Sequence, residues 1–197
     1  MTHSCEAVAN LRQELVAVSK KIFDRFLTSG TSGNISARVP GNPTQVLIKA
    51  SGTCFGDVTP EDFVLVDLDG NVLEGDKVPS KEYRFHLGIY KIRPEVNAVV
   101  HGHSAYATAY ATGKNEMPIV TAAAEAGLNK VGIVGFAWPG STELAEMTIA
   151  PFNDKSLKAV VLQKHGFVTV GADIYKAFYL GDVLEDNAKV ACLLSQI

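Results

Sequence analysis

The run Val96-Asn97-Ala98-Val99-Val100-His101-Gly102-His103-Ser104 limits what this chain can fold into more than any other stretch. Its four apolar residues read as a buried strand, and on an extended chain the side chains at i and i+2 share a face, so both imidazoles point to one place. The glycine between them lets the backbone come close to whatever they hold, and Ser104 is a candidate N-cap for the Ala/Tyr-rich helical stretch 105–110. Two histidines hydrogen-bonded at a strand end would satisfy the same pattern. The rest of the chain has to decide between structure and chemistry.

Before that stretch, Val8, Leu11, Leu15, Val18, Ile22 and Phe26 recur at helical spacing and predict an amphipathic helix from about Cys5 to Leu27 with Ser4 as N-cap. Strands follow at 35–38, 45–48 and 63–67, with a short helix or turn at Thr59-Pro60-Glu61-Asp62 and a hairpin turn at Asp69-Gly70 leading into 71–73. Pro79-Ser80-Lys81-Glu82 opens a helix with Ser80 as N-cap and Phe85, Ile89 and Ile92 on its apolar face, stopping before Pro94. Beyond the histidine pair, the chain passes Met117-Pro118-Ile119-Val120 to a strand at 131–134. Ser141 or Thr142 then caps a helix ending near Pro151. A buried strand at 159–162 ends in Gln163-Lys164-His165-Gly166. Asp173 caps a last helix to about Leu194, with Tyr175, Phe178, Tyr179, Val183, Asn187 and Val190 inward. Strands and helices alternate without repeats or linkers, which is the α/β class. At 197 residues, 47% hydrophobic and 20% charged, residues 1–197 are read as a single domain with a substantial core.

Charge and cysteine usage narrow the partners. The net charge is -3 with Lys and Arg scattered, which gives no basic stripe for nucleic acid or for an anionic membrane and leaves a small molecule as the expected ligand. Cys5, Cys54 and Cys192 are an odd, widely spaced set without a CxxC pair, so free thiols in a reducing compartment are expected. No signal-like start and no apolar run near ~20 residues is found, which reads as a cytoplasmic protein.

Three loops are rich in hydrogen-bond donors. Residues 28–34 (Thr-Ser-Gly-Thr-Ser-Gly-Asn) and 49–53 (Lys-Ala-Ser-Gly-Thr) each adjoin a short strand and offer the hydroxyls and backbone N–H groups that cradle an anion. Ser80, with Lys81 beside it, supplies a third part if the positive end of the helix lies there. Glu82 and His86 are four apart, a spacing that suits either half of a metal site or a surface hydrogen bond. Of the five histidines, His3 lies near the terminus and His86 inside a helix, whereas His101, His103 and His165 sit where buried strands end. Three imidazoles with an open fourth position is the coordination of a catalytic Zn²⁺ rather than a thiolate-rich structural one.

In order along the chain, Ser32-Gly33-Asn34-Ile35-Ser36, Ala50-Ser51-Gly52, Pro79 to His86, Val100-His101-Gly102-His103 and Gln163-Lys164-His165-Gly166 resemble the motifs of the class II aldolase/adducin family, in particular its fuculose-1-phosphate-type aldolases. The resemblance spans roughly residues 5 to 195. It implies a three-layer αβα sandwich around a central, largely antiparallel mixed sheet, and a homotetramer with active sites at subunit contacts. It implies zinc, or another divalent metal, on His101, His103 and His165, with Glu82 as a further ligand and the acid/base. It also places the phosphate of a sugar phosphate against Thr31, Asn34, Ser51, Gly52 and Ser80. The implied reaction is reversible cleavage of a ketose 1-phosphate to dihydroxyacetone phosphate and an aldehyde, where a metal stabilises the enediolate and a carboxylate moves the C3 proton. Epimerases, sugar-acid-phosphate decarboxylases and non-catalytic adducin-like modules are the alternatives within the family. Three departures bear on substrate choice. Lys81 stands where a second small hydroxyl residue is usual, Val120 to Ala124 lacks the tyrosine that a neighbouring subunit contributes, and nothing past Ile197 matches the family's tyrosine-bearing C-terminal extension.

Overall fold

The computed structural model describes residues 2–196, with side chains described from Glu6 onward. Helix α1 spans Thr2–Asp24. Ser4, expected as its N-cap, therefore lies within the helix, and the side chains of Ser4 and Cys5 lie outside those described. Val8, Leu11, Leu15, Val18 and Ile22 form the buried stripe. Phe26 does not join it: the chain turns into a left-handed conformation there (φ 55), which leaves the ring 84% exposed while Leu27 packs in its place.

Eight strands form one sheet: β1 Asn34–Val39, β2 Asn42–Lys49, β3 Phe63–Asp67, β4 Val72–Glu74, β5 Ala98–Gly102, β6 Gly132–Val134, β7 Ala159–Leu162 and β8 Gly166–Gly171. Their order is β4-β3-β2-β1-β5-β8-β7-β6. Every neighbouring pair is antiparallel except β6 with β7. The remaining helices are α2 Tyr83–Ile92, α3 Ala105–Gly113, α4 Ala122–Gly127, α5 Thr142–Ile149 and α6 Ile174–Leu194. Successive strand residues face opposite layers: Val100 packs with α1, α3, α4 and α6 through Leu15, Ala107, Ala124 and Phe178, whereas Val99 packs with α2 and α5 through Phe85, Ile89 and Leu144. The expected α/β architecture, a mixed and largely antiparallel sheet between helical layers, is what forms. Among the described residues no helix is long and apolar enough to cross a membrane. Cys54 and Cys192 are free thiols.

Two expectations about helices need correction, and both bear on the site. Helix α2 begins at Tyr83, with Glu82 rather than Ser80 at its N-cap. Ser80 is held back because the segment before the helix pairs with the end of β2, Ser51 N–H donating to Val78 O and Ser80 N–H to Lys49 O. Helix α6 is capped by Asp173 as expected, its carboxylate accepting from Lys176 N–H at 2.8 Å. Phe178 and Asn187 are buried as expected and Tyr175 and Val183 pack against the core, but the buried face also takes in Ala177, Gly181, Leu184 and Ala188, and Tyr179 is exposed. Small residues on that face let the helix lie close to the sheet.

Candidate active site

Three segments bring the four candidate metal ligands together. Antiparallel pairing of β1 with β5 sets Asn34 opposite His101, and pairing of β5 with β8 sets Gly102 opposite Phe167. The tight turn from β7 to β8, with Lys164 at φ 59, then delivers His165 beside the His101/His103 pair. Glu82 arrives from the other layer at the N-cap of α2. A Cβ on Gly102 would lie 2.6 Å from both the Leu27 carbonyl oxygen and the Phe167 ring. The close approach this glycine permits is thus to the protein's own packing, not to a ligand as the sequence suggested.

His101 is fully buried, and its Nδ1 lies 2.8 Å from the Phe167 carbonyl oxygen. A carbonyl only accepts, so Nδ1 carries the proton and Nε2 presents a lone pair. That Nε2 is 2.9 Å from His103 Nε2 and 3.2 Å from Glu82 Oε2, while His165 Nε2 is 3.3 Å from Glu82 Oε1. Burial and the neighbouring histidines push His103 down to about 3 and His165 down to about 4, which keeps both rings neutral near pH 7. Burial alone would raise Glu82, but His101 and His165 beside it outweigh that and hold its carboxyl well below the usual range. All four ligand atoms lie within 4.8 Å of one another, the one such group of His, Cys, Asp or Glu among the described residues. Glu82 Oε1 is buried with no hydrogen-bond partner. Converging lone pairs beside an unpartnered carboxylate oxygen cost free energy unless a cation joins them, so the residues fit a divalent metal ion.

The cluster forms one wall of a cavity of about 400 Å³. Thr31, Asn34, Ser51, Gly52, Ser80 and Lys81 all line it together with Glu82, His103 and His165, while His101 sits behind them. Thr31, Ser51, Gly52 and Lys81 are exposed to the cavity mouth, and Ser80 and Asn34 are buried. Ser80 Oγ accepts from Glu82 N–H at 3.3 Å, and Asn34 Nδ2 donates to Glu82 Oε2 at 2.9 Å. His86 does not join the cluster and is not on the surface; it is buried behind Asn34. Lys49, the first residue of the donor-rich loop 49–53, also lines the cavity at 1% exposure. Its Nζ donates to Gly33 O at 3.3 Å and stands 4.9 Å over the Phe55 ring, and burial pulls its pKa down to about 8. The signal was a lysine ending the apolar run Val46-Leu47-Ile48. It is easily passed over because lysine at a strand end commonly reaches out to solvent.

Residues 13–192 match the family described as Class II Aldolase and Adducin N-terminal domain. The chain belongs to this family. The class II aldolases of this family depend on a divalent metal, and the glutamate and histidine cluster is a potential site for one. Across 93% of its length it is 34% identical to an L-fuculose phosphate aldolase of Methanococcus maripaludis, covering 97% of that protein. It is 33% identical to a 3-oxo-tetronate 4-phosphate decarboxylase of Haemophilus influenzae, over 91% of this chain and 85% of that one. Among solved structures it resembles an L-fuculose 1-phosphate aldolase with a TM-score of 0.89 and 30% identity, over 95% of this chain and 87% of that one.

Proposed function

We propose that the protein is a metal-dependent aldolase that reversibly cleaves a ketose 1-phosphate of the L-fuculose 1-phosphate kind to dihydroxyacetone phosphate and an aldehyde. The observation that carries this reading is the convergence of three imidazole nitrogens and one carboxylate within 4.8 Å on the wall of a cavity lined by the neutral donors Thr31, Asn34, Ser51 and Ser80 together with Lys81 and Lys49. His101, His103, His165 and Glu82 hold the ion, which the three-histidine set suits as Zn²⁺. When bound, the ion acts as a Lewis acid on the negative charge that develops as C3–C4 breaks. The residues do the rest. Thr31, Ser51, Gly52 and Ser80, with the second N–H of Asn34, bind the phosphate far from the breaking bond and so orient the ketone. On cleavage the C4 hydroxyl loses its proton as the aldehyde C=O forms, and the ionised Glu82 takes up one proton and delivers it to C3. On condensation Glu82 removes the C3 proton while the new C4 oxygen gains one; the buried Oε1, which has no hydrogen-bond partner, supports this role. Residues 1–197 act as one domain in the cytoplasm, and the family resemblance supports a homotetramer.

Lys81 favours one second reading. A full positive charge beside the neutral donors suits a substrate with a further acidic group, and a decarboxylase of sugar-acid phosphates would develop a comparable carbanion in the same cavity. The test incubates the zinc-loaded protein with dihydroxyacetone phosphate and a panel of aldehydes, and in parallel with 3-oxo sugar-acid phosphates. Carbon–carbon bond formation is expected in the first set. Loss of carbon dioxide in the second with none in the first would replace the aldolase reading by the decarboxylase one.

A further inference from the structure

Helix α2 carries a buried histidine that the metal cluster does not use. His86 is fully buried and joined to Glu82 by an unbroken row of hydrogen bonds. Glu82 Oε2 lies 2.9 Å from Asn34 Nδ2, Asn34 Oδ1 lies 2.5 Å from His86 Nε2, His86 Nδ1 lies 2.7 Å from Ser36 Oγ, and Ser36 Oγ lies 2.8 Å from Tyr90 OH. Two periodicities build the row. Asn34 and Ser36 are two apart on β1 and share a face, while Glu82, His86 and Tyr90 are four apart along the N-cap and body of α2.

The direction of the row is set at its Glu82 end. An ionised carboxylate only accepts, so the Asn34 atom facing it is the NH₂ group, and the Asn34 carbonyl oxygen then faces His86. That oxygen also only accepts, so His86 carries its proton on Nε2 and receives the Ser36 hydroxyl proton at Nδ1. The single Tyr90 hydroxyl proton is shared between Ser36 Oγ at 2.8 Å and the Ser36 carbonyl oxygen, to which it donates at 3.0 Å. Burial, with a smaller push from His101, holds His86 down to about 3, and burial raises Tyr90 well above the usual phenol range, so both groups stay neutral. Arg38 secures the far end: its guanidinium lies 4.7 Å over the Tyr90 ring and donates to the Tyr90 carbonyl at 2.6 Å.

We propose that His86 is a positioning residue: held as the Nε2–H tautomer between the Asn34 carbonyl oxygen and the Ser36 hydroxyl, it keeps the Asn34 amide with its NH₂ toward Glu82. Without that donor the Asn34 oxygen is left buried and unpaired, and only the bond to Glu82 opposes a turn of the amide by half a revolution. Its oxygen would then face the carboxylate, two acceptors would oppose each other, and Glu82 would lose the charge-assisted bond that fixes Oε2. Only the activity arm of the test rests on the proposed aldolase function.

The first arm records long-range ¹H–¹⁵N spectra of the metal-loaded protein labelled with ¹⁵N-histidine, assigning His86 by its loss in His86→Gln. The Nε2–H tautomer is expected, unchanged from about pH 5.5 to about pH 8.5. An Nδ1–H tautomer, or a titration in that range, overturns the proposal whatever reaction the protein catalyses. The second arm compares His86→Leu with His86→Gln, whose side-chain amide brings an N–H close to where Nε2–H stood. It reads metal affinity by chelator competition, kcat, KM and melting temperature. His86→Leu should lose about tenfold or more in kcat or metal affinity, the usual cost of removing an outer-shell partner, and His86→Gln should recover most of it. Equal losses in the two variants at matched melting temperature would mean that His86 merely fills space, and would also overturn it. If the wild type shows no aldolase activity, the tautomer and the chelator competition still decide the matter.

Discussion

Replacing His101, His103 or His165 by Ala removes one of four donor atoms that stand within 4.8 Å of one another. Losing an imidazole donor weakens the hold on the ion and leaves a solvent-filled gap in its shell, so each variant should emerge from gel filtration depleted of metal and inactive. A His101→Ala protein with full metal content would refute the ligand assignment. Glu82→Gln separates binding from proton transfer, since the amide keeps an oxygen ligand but carries no exchangeable carboxyl proton. It should retain metal while kcat falls by roughly two orders of magnitude or more. On the substrate side, Ser51→Ala should raise KM about fivefold, equivalent to one lost hydrogen bond of about 1 kcal/mol. Lys81→Ser should raise KM in a way that fades as salt is added, because the contribution of an exposed charge is screened. An equal KM for unphosphorylated dihydroxyacetone would exclude the anion pocket. That these residues gather at one site was legible along the chain, because strand-ending histidines and donor-rich loops announce themselves locally. Lys49 and the partners of His86 did not, since a buried lysine is recognised only by what surrounds it.

At the level of elements, the caps decide where the site residues stand. Ser104 occupies the N-cap of α3, yet its hydroxyl makes no cap bond there and donates to Glu185 of α6 at 2.6 Å. The Glu185 carboxylate also accepts the first-turn amides of Tyr106 and Ala107, each at 2.8 Å. Helix α6 thereby caps α3 immediately after His103. Glu185→Leu should cost about 2 kcal/mol in urea unfolding, the loss expected when a charged acceptor leaves three donors partly unsatisfied. A change below about 0.5 kcal/mol would show that water replaces the carboxylate without penalty. Sequence alone identifies Ser104 as the cap position but not its remote partner, which lies 81 positions away. Ser141, by contrast, caps α5 through its own Oγ, accepting Leu144 N–H at 3.0 Å, and that local bond was legible. Helix α2 starts later than the local capping signal at Ser80 predicts, because a backbone pairing with distant β2 overrides that signal.

For the molecule as a whole, the buried polar row makes stability depend on pH. His86 is held down to about 3 in the folded protein against an ordinary value of 6.5, so between those values the unfolded chain binds a proton that the folded chain refuses. The contribution is therefore fully present above about pH 6.5 and is lost progressively as pH falls toward about 3. Denaturant unfolding at about pH 7.5, 6 and 4.5 should show falling stability, with a shallower slope in His86→Gln, which has nothing to titrate there. An identical slope in both proteins would assign the acid sensitivity to other groups.

What the chain settles by itself is local: apolar runs of strand length such as Phe63–Asp67 and Ala159–Leu162, caps such as Asp173, and three histidines that each end a buried run. These depend on neighbours within a few residues, whose sterics and hydrogen bonds act before any long-range packing. The tertiary structure decided the phase of α6, the first residue of α2, the neighbours that fill the space around Gly102, and which carboxylate meets which imidazole. Those outcomes turn on strand order and register. Only once β1 lies between β2 and β5 do Asn34, Glu82 and His101 come within hydrogen-bonding reach, and no local pattern in the chain encodes that juxtaposition.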